Sequence, residues 1–165
     1  MDWNDLFAKI LIGIVSGSVA ALVTAGLALK KFYREKWWEK KHAGYSQLLD
    51  GLFELERIYA IAADFFEREY KAERSLNESP KDPVDWPRFY ELHRKVRQYY
   101  ILAPILLSNN TKNILEKFFE SSAENSRKIY EEGWPKQISY SEMHHEIGEL
   151  IEAVVVDANR ELNFK

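Results

Sequence analysis

ILIGIVSGSVAALVTAGLAL, residues 10–29, runs without a charge or a proline and is closed at once by Lys30 and Lys31. A helix of about 20 residues rises about 30 Å, the thickness of a bilayer's hydrocarbon core. The run therefore predicts a single N-terminal transmembrane helix. Its flanks fit an anchor better than a cleaved signal: the leading MDWNDLFAK is acidic, not basic, and lysines follow the apolar stretch directly. One basic residue, Lys9, precedes the run, whereas Lys30, Lys31, Arg34, Lys36, Lys40 and Lys41 follow it. The positive-inside rule then puts the N-terminus outside and the C-terminal domain in the cytoplasm, in the inner membrane of a bacterium.

The flank reads as a membrane interface made by Lys30, Lys31, Arg34, Lys36, Trp37 and Trp38, with the lipid bilayer as first partner. Within the run, Gly13, Gly17, Ala21 and Ala25 recur every four residues. Small residues let helix backbones approach closely, so the stripe predicts a homo-oligomer. The plainer account is that Gly, Ala and Ser are common in apolar spans.

Net charge is −3, unevenly spread. Residues 1–29 sum to −1 (Asp2, Asp5, Lys9) and residues 30–41 to +4, which leaves −6 for the rest. An acidic domain argues against nucleic acid as a partner. The chain has no cysteine, which excludes a disulfide scaffold, a thiol nucleophile and a Cys-based zinc site.

After the span no proline occurs until residue 80. Tyr45, Leu48, Leu52, Leu55, Tyr59, Ala62 and Phe66 follow 3-4 spacing, the heptad seam of a helix, and Leu49, Phe53, Ile58, Ile61 and Phe65 broaden it to a bundle-core face. Residues 75–87, SLNESPKDPVDWP, read as a linker, with Asp85 capping a second helix and Pro87 in its first turn. Pro104 ends or kinks that helix, and Ser108–Thr111 caps a third, which fades near Gly133. Ser139-Tyr140-Ser141-Glu142 has the form of a capping box opening a fourth. The fold expected is all-α: one transmembrane helix continuing into an antiparallel cytoplasmic bundle of about four helices. Its parts are an anchor over 1–31, a basic juxtamembrane helix over 32–44 and the bundle over 45–165.

Two constellations resemble chemistry. Arg88 and His93 stand as R-x4-H; in HEPN ribonucleases a paired Arg stabilises phosphate charge and a His moves protons. The plainer account makes Arg88 a solvated helix-start residue and His93 a boundary residue. Glu142 and His145 form one Glu-x-x-His, but a di-iron site needs a second copy and two further carboxylates. Glu142, His145, Glu149 and Glu152 read instead as a solvated face. No cofactor or metal site is expected, and a ligand cleft between helices is not visible in the pattern.

Glu35-Lys36-Trp37-Trp38-Glu39-Lys40-Lys41 with Tyr45, Leu106-Leu107-Ser108-Asn109-Asn110-Thr111, and Arg160-Glu161-Leu162 resemble small bacterial proteins with one span and a helical domain. In size and layout the chain also resembles the HEPN-like membrane accessory proteins of type VI-B CRISPR systems. That resemblance implies a self-associating protein without catalysis that forms a pore or effector in antiviral defence. The C-terminal Arg…His of the HEPN pattern is missing, since no His follows Arg160. The alternatives are a tethered HEPN-type ribonuclease using Arg88 and His93, or a scaffold for a cytoplasmic protein partner.

Overall fold

Good helix formers without an internal proline carry the first element through as one helix, α1 (Trp3–Ser75). The computed structural model describes residues 3–75, 78 and 80–163, with side chains described from residue 21 onward. α2 (Trp86–Leu106), α3 (Asn109–Glu131) and α4 (Lys136–Leu162) follow. The chain divides into two units, Met1–Lys40 and Lys41–Lys165.

In the first unit the expectation of a transmembrane helix is overturned. Among the described residues no helix is long and apolar enough to cross a membrane. The uncharged stretch described with its side chains is Ala21–Leu29. The single-pass inner-membrane placement built on that helix is corrected with it. The rest of the run, and with it Gly13 and Gly17, lies outside the residues described with side chains. Ala21 and Ala25 are exposed. Among the interface candidates, Lys30, Lys31, Arg34, Lys36 and Trp37 are exposed and Trp38 is half-buried. Lys36 pairs with Glu39 at 2.7 Å and Lys31 with Glu35 at 3.8 Å, solvated pairs that add little.

The second unit is the expected antiparallel bundle. Every member of the seam from Tyr45 to Phe66 is buried. Phe53, read as part of the same face, instead stays exposed. Contacts fix the order of neighbours. Tyr99 donates to Gln47 Oε1 at 2.6 Å and Arg88 to Glu54, which aligns α2 antiparallel to α1. Tyr100 donates to Glu116 at 3.1 Å, bringing α3 against α2. Lys41 meets Glu161 at 2.5 Å, which closes α4 onto α1. Leu48, Leu52, Leu55, Leu92, Leu115, Ile147 and Val154 fill the middle, with almost no surface left in water. Each such side chain contributes roughly 1.5–3 kcal/mol by burial.

The caps follow local chemistry. Asp85 accepts the Arg88 N–H at 3.0 Å ahead of Pro87, and Ser108 accepts the Thr111 N–H at 2.9 Å. Asp82 pins the linker by accepting from Trp86 Nε1 and the Val84 N–H, both at 2.8 Å. The fourth helix departs from expectation. It starts at Lys136 with Pro135 as its cap residue, three positions before the capping box. Gly133 sits at φ 69°, in the left-handed region, and the Trp134 N–H returns to the Lys128 carbonyl at 3.0 Å. That turn, followed by the fixed φ of Pro135, starts the helix early. Ser139 is then inside the first turn, buried, and caps nothing.

Candidate functional site

The seams of α3 and α4 carry polar residues at positions whose phase points inward. On α3 the buried positions Thr111, Leu115, Phe118 and Asn125 share one face; on α4 Met143, Ile147, Leu150, Val154 and Asp157 do the same. These polar insertions gather at two places, one near each end of the bundle.

The first is centred on Asp157, whose carboxylate has no exposed surface. Oδ2 accepts from Tyr45 at 2.9 Å, from Thr111 Oγ1 at 2.6 Å and from Ser108 Oγ. Oδ1 accepts from Asn110 Nδ2 at 3.0 Å and from Arg160. Burial by itself raises the Asp157 pKa, but hydrogen bonds from Ser108, Thr111, Tyr45 and Asn110 outweigh it and hold the carboxyl below its ordinary value. The hydroxyls of Tyr45, Ser108 and Thr111 all donate to the carboxylate, so the buried part of the cluster is bonded within itself. It is a lock that ties the start of α3 and the end of α4 to α1. Its members include residues of the Leu106–Thr111 and Arg160–Leu162 segments noted in the sequence.

The second is a cavity of about 280 Å³ that all four helices line. α1 supplies Tyr59, α2 Phe89 and His93, α3 Ser122 and Asn125, and α4 Ser139, Tyr140 and Met143. Tyr59 Oη lies 2.8 Å from His93 Nε2, and Ser122 lines the cavity with them. Rings pack around the pair: Phe89 lies tilted against His93 at 4.5 Å and Tyr59 edge-on to Phe89 at 5.1 Å. Burial pushes the His93 pKa down to about 4, and desolvation raises that of Tyr59, so both are neutral at ordinary pH. Asn125 donates Nδ2 to Met143 Sδ at 3.0 Å, which leaves Oδ1 without a partner; Ser139 Oγ has none either. Among the described residues these are the two buried side-chain atoms left unbonded, and both belong to this one cavity. Leaving such a group unpaired costs about 1–3 kcal/mol.

A wider groove of about 700 Å³ opens between α1 and α4. Three carboxylates line it: Asp64 and Glu67 are ion-paired with Arg68 and Lys71 at 2.6 Å each, and Glu142 is exposed.

Arg88 and His93 stand on the same helix but in different surroundings. Arg88 is half-buried and gives Nε to Glu54 Oε1 at 2.7 Å and a terminal nitrogen to Glu54 Oε2 at 2.6 Å; Glu91 accepts at 2.8 Å. The Glu54 and Glu91 carboxylates raise its pKa further. His93 is in the cavity wall. Glu142, His145, Glu149 and Glu152 are solvent-exposed, with His145 3.5 Å from Glu149. Asn125 and Asp157 escaped notice in the sequence and Ser139 was read only as a cap, although the helical phase that located the apolar seam also places all three on it.

No family model, no curated protein and no solved structure matches the chain.

Proposed function

We propose that this chain is a non-catalytic binding protein whose bundle holds a small ligand in the cavity between its four helices. The observation that carries this reading is a cavity of about 280 Å³ that all four helices line with aromatic rings and uncharged polar side chains, without an Asp, Glu, Lys or Arg among them. Ligand pockets are mostly apolar with a few converging polar groups, and they form between the helices of bundles. The ribonuclease reading finds less support. A phosphate would have to displace Glu54 and Glu91 from Arg88, and His93 is an uncharged interior imidazole bonded to Tyr59.

The chain has two methionines, Met1 and Met143, so the Met143 methyl group is a built-in reporter on the cavity wall. In the full chain labelled with 13C at the methionine methyl, a set of one- and two-ring compounds, neutral and charged, is titrated by NMR. The reading expects saturable shifts of the Met143 signal with at least one compound. A Met143 signal that none of them moves would sink it.

A second reading, self-association, is favoured by a strip of uncovered apolar side chains on α2: Ile101, Leu102 and Ile105 are 64%, 41% and 60% exposed. Ile101 and Ile105 are one turn apart on one face.

A further inference from the structure

We infer that a second pocket, on the outside of the bundle, takes a free aromatic amino acid and holds it by its ring, its ammonium and its carboxylate. The inference goes beyond the cavity reading and does not depend on it.

The pocket has a volume of about 480 Å³, within the range of ligand sites. Its wall is aromatic. Tyr140 stacks on Phe66 at 4.9 Å and meets Trp86 edge-on at 5.8 Å. Asp82 accepts from Trp86 Nε1 at 2.8 Å and so holds the indole in place. Tyr90 and Tyr130 line the same space and are 60% and 76% exposed, so the pocket opens to water and its rings are within reach of a solute. A flat ring finds face and edge partners there.

Charge separates this pocket from the inner cavity. Glu69 of α1 and Lys136 of α4 both line it. Among the described residues neither of them is in an ion pair. The Lys136 ammonium instead lies over the Phe66 ring at 5.0 Å. Both charges stand against local preference. Asp64 and Glu67 have Arg68 and Lys71 one turn ahead on their own helix, but Glu69 has Ala72 and Glu73 there, and Phe65 and Phe66 one turn behind. Its helix therefore supplies no cation and adds a like charge. Lys136 is the first residue of α4, at the helix end whose partial positive charge disfavours a cation. Charges kept where local rules disfavour them mark functional positions. One group of each sign, in one aromatic pocket and without a counter-ion, is the complement of a zwitterion. Glu69 accepts from the ammonium, because the other lining carboxylate, Asp82, is already engaged by Trp86 and the Val84 N–H. Lys136 leaves the Phe66 ring and donates to the carboxylate. Charge-assisted hydrogen bonds of this kind are roughly twice as strong as neutral ones.

Phenylalanine, phenylalaninamide and N-acetylphenylalanine test the class, since the amide lacks the carboxylate and the acetyl compound lacks the ammonium. The readout is the Trp86 indole N–H signal in NMR spectra of the full chain labelled with 15N, identified by its loss in Trp86→Phe. Phenylalanine should bind at least about tenfold tighter than either relative, and tighter than leucine, a zwitterion without a ring. Glu69→Gln should weaken phenylalanine and the amide but not the acetyl compound; Lys136→Gln should weaken phenylalanine and the acetyl compound but not the amide. Both side chains are outside the core, and the comparison of compounds on the wild-type chain decides even where a variant does not fold. If the three phenylalanine compounds bind alike, or each substitution acts on all of them equally, the zwitterion assignment is wrong. If leucine binds as tightly as phenylalanine, the ring assignment is wrong. If no compound moves the Trp86 signal, this pocket is not an amino-acid site. Trp86 lines only the outer pocket of the two and Met143 only the inner cavity, so the Met143 titration decides the cavity reading separately.

Discussion

Asp157 and His93 are both ionisable groups in the bundle interior, and their surroundings set opposite states. Five donors surround Asp157 and keep it charged. Aromatic packing surrounds His93 and keeps it neutral. Asp157→Asn replaces an acceptor-only group by one whose NH₂ faces other donors, so hydroxyls of Tyr45, Ser108 or Thr111 lose their partner. The expected loss is about 3 kcal/mol in urea unfolding; a loss under about 1 kcal/mol would mean the lock contributes little. His93 governs a separate pH window. Its folded pKa of about 4 is below the unfolded value near 6.5, so the unfolded chain binds the proton more tightly. The stability from a neutral His93 is therefore complete above about pH 6.5, declines as pH falls towards 4, and is lost below that. The whole change amounts to about 3 kcal/mol. Unfolding free energies measured between pH 7 and 4 should drop accordingly, and His93→Gln should flatten that part of the curve. Equal slopes in the two proteins would refute the assignment. The Asp157 contribution stays outside this window, because a carboxyl held below its ordinary pKa loses its stabilisation only at more acid pH.

At the scale of elements, the start of α4 depends on the turn at Gly133. A Cβ there would meet nothing within 4 Å, so the only penalty for a side chain is the left-handed backbone itself. Gly133→Ala should cost about 1–2 kcal/mol in thermal or urea unfolding, without a change of fold by circular dichroism. A neutral result would mean that the turn adopts another conformation in solution. This turn also marks the limit of what could be read beforehand. The α1 seam was legible because 3-4 spacing and burial follow the same geometry, and Asp85 and Ser108 were legible because capping needs only neighbours in sequence. Ser139-Tyr140-Ser141-Glu142 has the capping pattern too, but Pro135 had already started the helix, and Ser139 turned inward. The cavity was beyond reach for a different reason. Asn125, Ser139 and His93 are on three helices, and the space between them arises only when all four pack. The apolar run is legible in the sequence as one uncharged stretch, but among the described residues no helix is long and apolar enough to cross a membrane.

At the scale of the whole molecule, self-association has two candidate surfaces that make different demands. The strip Ile101, Leu102 and Ile105 offers bulky apolar area, so burying it against a second copy would be driven by the hydrophobic effect. Ala21 and Ala25 offer little area and would act only by letting backbones approach closely. The α2 strip therefore carries the stronger expectation. Mass photometry and sedimentation of the full chain should show an oligomer whose population rises with concentration. The double change Ile101→Glu with Ile105→Glu should raise the dissociation constant by at least about tenfold. It should leave thermal stability nearly unchanged, because exposed side chains away from the core contribute little to folding. Ala21→Leu with Ala25→Leu should leave the assembly intact. If instead the alanine pair disrupts it and the isoleucine pair does not, the contact belongs to α1. A chain that stays monomeric at every concentration removes self-association from its function.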